Sequence, residues 1–214
     1  MLEPSDEDLV ATYLERGDER AFGRLLARHQ ERIFGYLVGM VRDRAIAADL
    51  FQETFLRAIQ AMQARRGGYE QQGRWLAWIM RIARNAALDH LRAARKFADV
   101  SSHDDDGPSF FDRLPDDAAG ADELLGRANL LQEVSEAIEK LPPEQREVVL
   151  MRHQSELTFR EIAELTDVSI NTALGRMRYA LINLRKLLDP EWFEDSSQEV
   201  RARRAPAAPR AEDA

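Results

Sequence analysis

The stretch "TFREIAELTDVSINTALGRMRYALINLRK", Thr158 to Lys186, reads as two helices separated by a short turn. Thr158 followed by Glu161 is the reciprocal capping-box pattern, so a helix is predicted to start at Phe159. After Leu165 comes the turn "TDV", and Ser169 supplies an N-cap hydroxyl for a second, longer helix. Ala163 is small where the first helix must be crossed closely, and Val168 can fill the corner, which predicts a helix-turn-helix. Ala173, Met177, Ala180, Leu184 and Leu188 follow the inner face of the second helix. Asn171, Thr172, Gly175, Arg176, Arg178 and Tyr179 are left on its outside.

That second helix is chemically one-sided. From Ser169 to Lys186 it carries four basic residues and no acidic one, although the 214-residue chain has a formal charge of −8. An α-helix fits the major groove, free N-terminal amides and hydroxyls favour phosphate, and arginine can make two hydrogen bonds to guanine. A carboxylate here would be repelled by the duplex backbone. From charge alone, a solvated helix hairpin with incidental arginines remains the alternative reading.

Working outward, charge divides the chain. Arg74 to Lys96 holds six basic residues against the single Asp89, whereas Ala98 to Glu123 holds nine acidic residues and one arginine. The acidic stretch is rich in Asp, Ser, Gly and Pro and lacks a helical apolar period, the composition of a linker. The expected organisation is a first domain over 1–97, a flexible acidic linker over 98–123, a second domain over 124–188 and a tail over 189–214. In the tail, Pro190 blocks helix continuation, and Trp192 and Phe193 are expected to pack back on the second domain, or else to form a docking segment for a regulator, ahead of a disordered Pro/Ala/Arg end.

The first domain also reads as helical. Phe22, Leu25, Leu26, His29, Ile33, Tyr36, Leu37 and Met40 recur at steps of three and four, as do Leu50, Phe51, Phe55, Ala58, Ile59 and Met62. Trp75, Ile79, Ile82 and Ala86 predict a third helix running to about Arg95, and Gly67 and Gly68 are expected to end the helix before it. No run alternates with period two. The fold class is all-α, two small helical domains joined by an acidic linker.

Several function classes fall away. The chain has no cysteine, which removes disulfides, thiolate metal sites and a cysteine nucleophile. The four histidines show no HExxH spacing, and Gly67-Gly68 lacks the Lys-Ser/Thr of a phosphate loop. No enzyme activity, cofactor or metal is expected. No apolar run approaches the roughly 20 residues that cross a bilayer, and "MLEPSDEDL" lacks a signal-peptide layout, so a cytoplasmic protein is predicted. An operator-binding regulator would use residues 158–186 but would leave "DLFQETFLRA" and the arginine-rich helix unexplained.

Five segments in order, "AFGRLLARHQERIFGYL", "DLFQETFLRAIQAM", "WLAWIMRIARNAALDHLR", "LPPEQREVVLMRH" and "TFREIAELTDVSINTALGRMRYAL", resemble the extracytoplasmic-function sigma factors, bacterial initiation subunits with helical regions 2 and 4. The resemblance implies a subunit that binds core RNA polymerase, opens the minus-ten promoter element and reads the minus-thirty-five element, with an anti-sigma factor or other regulator as a further partner. It implies polymerase contacts at Asp49, Gln52, Glu53 and Leu56, which share one helix sector. Tyr69, Ile82 and Asn85 would take a flipped minus-ten base, with Arg81, Arg84, Arg92 and Arg95 on phosphates. Ser169, Asn171, Thr172, Leu174, Gly175, Arg176, Arg178 and Tyr179 would meet the minus-thirty-five element. The sequence departs from the family's pattern where Asp167 stands at a turn that commonly carries Gly, and where "TALGR" replaces "TVKSR". Leu174 then either touches a thymine methyl or turns inward. "YEQQGRW" also differs from the family's "FRGEGSF" type.

Overall fold

The computed structural model describes residues 3–64, 74–98 and 121–188, with side chains for all of these except 97, 98 and 121–129. Among them are eight α-helices and no strand, in agreement with the all-α expectation. In order they are α1 (Asp6–Arg16), α2 (Glu19–Val41), α3 (Arg44–Gln63), α4 (Trp75–Ala98), α5 (Ala121–Glu139), α6 (Pro143–Val149), α7 (Phe159–Thr166) and α8 (Ile170–Leu187). A π-helical turn, Leu150–Gln154, prolongs α6.

Local chemistry sets the boundaries. Ser5 and Asp8 form a capping box at α1, a helix that the apolar stripes of the sequence did not reveal. Asp6, in its first turn, accepts hydrogen bonds from Arg28 at 2.6 Å and from the His29 ring at 2.7 Å, which fastens α1 to α2. Asp43 caps α3 by accepting from the Ile46 amide. That helix stops at Gln63, where Ala64 is extended, ahead of Gly67 and Gly68, which lie outside the described residues. Most of the acidic stretch and all of the tail, Trp192 and Phe193 included, also lie outside them. α5 starts at Ala121, so the last three residues of 98–123 are helical.

The predicted stripes form the core. Leu25, Ile33, Tyr36 and Leu37 of α2, Ala58 of α3, and Trp75 and Ile79 of α4 are almost wholly buried. Burying such a side chain stabilises by roughly 1.5–3 kcal/mol relative to exposure. Phe22, Phe51 and Phe55 pack edge to face or tilted, linking the α2 and α3 layers. The core does not stop at the end of the first helical unit. Val148, Leu150, Met151 and Leu157 of the second unit join the same apolar cluster, with the π turn packed on α2.

Candidate polymerase and DNA interfaces

The helix-turn-helix is built by its caps. The Thr158 backbone amide donates to Glu161 at 2.8 Å, and the Thr158 hydroxyl accepts from the Glu161 amide. α7 ends at Asp167, whose φ of 55° is left-handed, the conformation that Asp tolerates better than most residues. Ser169 then caps α8 by accepting from the Thr172 amide at 3.0 Å, and the two hydroxyls bond to each other at 2.8 Å. Ala163 and Ala173 are both buried, so the two helices meet through small side chains.

α8 divides as its pattern predicts. Ala173, Met177 and Ala180 are buried. Ser169, Asn171, Thr172, Arg178 and Tyr179 are exposed, and Gly175 and Arg176 are half-buried. Leu174 is 43% exposed, so it does not turn inward. It lines a shallow groove with Phe159, Met177, Arg178, Leu181 and Ile182. At about 100° per residue, Asn171, Gly175, Arg178 and Tyr179 share the outward sector, while Arg176 stands on its flank.

α4 presents a second polar face. Arg81, Asn85, Arg92 and Arg95 are exposed, and Ile82 is half-buried beside them. Arg92 pairs with Asp89 at 2.9 Å in the open, a pair of small energetic value. Asn85 makes no side-chain hydrogen bond to another described residue, and its amide carries both a donor and an acceptor. Tyr69 lies outside the described residues. Arg84 departs from the expected pattern. Its Nε donates to Glu147 Oε1 at 2.8 Å, with the two side chains 18% and 7% exposed. Arg84 therefore faces the second unit in this arrangement.

On α3, Asp49 and Gln52 are exposed, Glu53 is half-buried, and Leu56 is 60% exposed. Glu53 accepts from Arg57 at 2.6 Å, one turn along the same helix. Leu56 is a single exposed apolar side chain in a sector otherwise made of carboxylates and an amide.

Sequence reasoning missed the polar layer between the units. Glu147 also accepts a long hydrogen bond, 3.4 Å, from the buried Tyr36 hydroxyl. Burial, then the Glu147 carboxylate, pushes the Tyr36 phenol well above its ordinary value. Burial, reinforced by Arg42, pulls the neighbouring Arg146 guanidinium down. The signal was present, because Glu147 lies three and four residues before the buried Leu150 and Met151 and so falls in an apolar register. Among the described residues no cluster of His, Asp and Glu could hold a metal ion.

Comparison with known proteins agrees with this geometry. The family description "Sigma-70 region 2" matches residues 25–97, and "Sigma-70, region 4" matches residues 131–179. The chain is 36% identical over 149 residues to RNA polymerase sigma factor CarQ of Myxococcus xanthus, covering 70% of this chain and 78% of that protein. It is 33% identical over 152 residues to ECF RNA polymerase sigma factor BldN of Streptomyces coelicolor, covering 71% of this chain and 53% of that protein. Two solved structures share the fold. One is CnrH in complex with the cytosolic domain of CnrY, with a TM-score of 0.60, 24% identity and coverage of 87% and 99% of the two chains. The other is the sigma factor RpoE in complex with the anti-sigma factor NepR from Bartonella quintana, with a TM-score of 0.62, 20% identity and coverage of 78% and 96%.

Proposed function

Because the chain belongs to the extracytoplasmic-function sigma factors of the sigma-70 family, we propose that it joins core RNA polymerase through the α3 face and meets promoter DNA through α4 and α8. It is an alternative sigma factor that directs promoter-specific transcription. In this reading region 2 is residues 1–97 and region 4 is residues 124–188, with 98–123 as the tether and 189–214 as the tail. The observation that carries the reading is the exposure, on one chain, of three unlike surfaces: the Asp49, Gln52 and Leu56 sector, the Arg81, Asn85 and Arg92 face, and the acid-free outer side of α8.

Each surface has a physical task. Asp49, Gln52, Glu53 and Leu56 dock on the polymerase clamp helices. Asn85, with Ile82 and Tyr69, takes a base out of the minus-ten stack, which costs a few kcal/mol that the pocket must return. Arg81, Arg84, Arg92 and Arg95 hold phosphates there. The outer side of α8 from Ser169 to Tyr179 reads the minus-thirty-five element, its hydroxyls and N-terminal amides positioning the backbone. By extension from the complexes that hold NepR and the CnrY cytosolic domain, an anti-sigma factor is a further partner. Among the described residues no helix is long and apolar enough to cross a membrane, and we assign the protein to the cytoplasm, where polymerase works. No catalytic role is assigned.

Pull-down with core polymerase in the absence of DNA tests the reading. The parent chain is expected to be retained, and reversal of both Asp49 and Glu53 to Lys should weaken retention at least tenfold with helicity unchanged. Unaltered affinity of the double variant removes α3 as the polymerase surface. Failure of the parent to bind core overturns the sigma-factor reading itself.

A further inference from the structure

The groove along α8 is apolar on a helix that is otherwise basic outside. Leu174, Leu181 and Ile182 are 43%, 53% and 40% exposed, and they line it with Met177 and with Phe159 of α7. At about 100° per residue, positions 174, 178, 181, 182 and 185 fall within about 100° of one another, so they form one stripe. Exposed apolar side chains gathered in a stripe mark a contact surface, as single ones do not. Arg178 and Arg185 stand in the same lining. An occupant that fits is therefore apolar in its middle and acidic around it.

The chain itself supplies such a segment. α8 ends at Leu187, Leu188 is extended, and residues 189–214 lie outside the described residues. Residues 189–195, "DPEWFED", hold four acidic residues, no basic one, and the adjacent Trp192 and Phe193. The region 4 match stops at residue 179, so this segment lies beyond it. Pro190 cannot continue the helix, and the chain must leave the α8 axis there.

Reach decides which part of the groove the segment can cover. Extended chain spans at most about 3.3–3.6 Å per residue, so Trp192 lies no more than about 14 Å from Leu188. Leu181 and Ile182 are about 9–11 Å back along the helix, within that limit, whereas Leu174 is about 21 Å back and beyond it. A tether this short also holds the segment at an effective concentration of about millimolar, which favours it over the same segment of a second copy. We propose that the C-terminal half of this groove seats the chain's own residues 189–195, with Trp192 on Leu181 and Ile182 and the flanking carboxylates toward Arg178 and Arg185. The seat extends the second helical unit to residue 195. It leaves the outward side of α8 from Asn171 to Gly175 uncovered.

Fluorine NMR of the full chain labelled with 5-fluorotryptophan tests the seat, whatever the outcome of the polymerase pull-down. Of the chain's three tryptophans, the one whose resonance is lost in Trp192→Phe is Trp192. In the parent that resonance should be displaced from the free-indole position and insensitive to exchange of water for heavy water. Leu181→Ser/Ile182→Ser changes two exposed positions outside the apolar core cluster, so helicity should be unchanged. This variant should return the resonance to the free-indole position, whereas Leu14→Ser, an equally exposed leucine on α1, should leave it in place.

A parent resonance at the free-indole position, or a displaced one that the Leu181/Ile182 variant does not move, overturns the seat. A chain ending at Asp195 should keep the displaced resonance; its loss there would place the contact in later residues and also defeat the proposal. Two further outcomes name other occupants. Release of the resonance on dilution would make a second copy the occupant, and displacement only after core polymerase is added would make polymerase the occupant. Either one sinks the intramolecular seat.

Discussion

Arg84 and Glu147, 63 positions apart in the chain, meet at 2.8 Å across the boundary between the two helical units, and Glu147 is the more buried partner. This asymmetry orders the cost of removing each. Arg84→Ala leaves a carboxylate inside the apolar layer with only the distant Tyr36 hydroxyl for company, a loss of about 2–3 kcal/mol. Glu147→Ala leaves an arginine whose long stem can lift its head to water, a loss of about 1 kcal/mol. Denaturant unfolding of both singles and of Arg84→Met/Glu147→Leu checks this. The double variant should lie nearer the parent than Arg84→Ala does, and simple addition of the two single losses would show that the pair is not coupled.

Gly175 stands at the centre of the outward sector of α8, and a Cβ added there would meet nothing within 4 Å. Packing therefore does not require glycine, and Gly175→Ala should stabilise α8 by about 0.5–1 kcal/mol. If DNA lies against this side, the added methyl should weaken minus-thirty-five binding while the melting temperature rises. A stabilised variant with parental upstream affinity would take Gly175 out of the interface.

Much of this was legible in the sequence, for physical reasons that differ by element. The apolar period of α2 to α4 announced the buried sides, and Thr158–Glu161 and Ser169 announced the starts of α7 and α8, because capping chemistry is local. Even the left-handed Asp167 could be anticipated from its side chain. The docking was not legible. Periodicity tells which side of α2 is covered but not by what, so the approach of Gln154 and Leu150 to Gly35 and Gly39 has no counterpart in the pattern. The apolar register of Glu147 marks it as covered but does not name Arg84 as its partner, since a long-range ion pair leaves no local pattern. No spacing in "LMRHQ" foretells the π turn.

Asn85 has an exposed amide that bonds to no other described residue, on the same helix as Arg81 and Arg92. Asn85→Ala should leave promoter duplex affinity within about twofold, since one lost contact among many phosphate bonds changes little. Open-complex formation should fall about tenfold, as expected for the loss of a flipped-base contact worth roughly 1–3 kcal/mol. Permanganate reactivity of unpaired thymines in the minus-ten region measures it. Equal reactivity in variant and parent would make Asn85 a bystander.

His29 predicts a pH response of the α1–α2 junction. The buried ring donates to Asp6 and packs against Trp75 at 5.3 Å. Burial dominates and holds its pKa below the ordinary 6.5; Asp6 pulls it upward, and Arg32 and Arg28 push it further down. The unfolded chain thus takes up the proton first. Stability from this group is complete above pH 6.5, declines as pH falls from 6.5 toward the lower folded value, and levels off beneath it. Urea midpoints between pH 7.5 and 5 should show the decline, and His29→Gln should flatten that part of the profile. A midpoint that rises on acidification through this window would contradict the assignment.

The two arginines of the α8 helix divide by position. Arg178 is exposed within the outward sector, near the line of Asn171 and Gly175, whereas Arg176 is half-buried on the flank. A side chain at the centre of a helix lying in the major groove reaches base edges, and one on its flank reaches the phosphate wall. Arg178→Ala should therefore relax preference at a single minus-thirty-five position by about 1–3 kcal/mol, with other positions unaffected. Arg176→Ala should weaken all sequences alike and lower the salt slope of log K by about one. Binding to a duplex set substituted position by position, at two or more salt concentrations, separates the roles. An exchanged pattern, with Arg176 carrying the base preference and Arg178 the salt slope, would mean that α8 enters the groove rotated by about a quarter turn, with Thr172 and Tyr179 and not Gly175 nearest the bases.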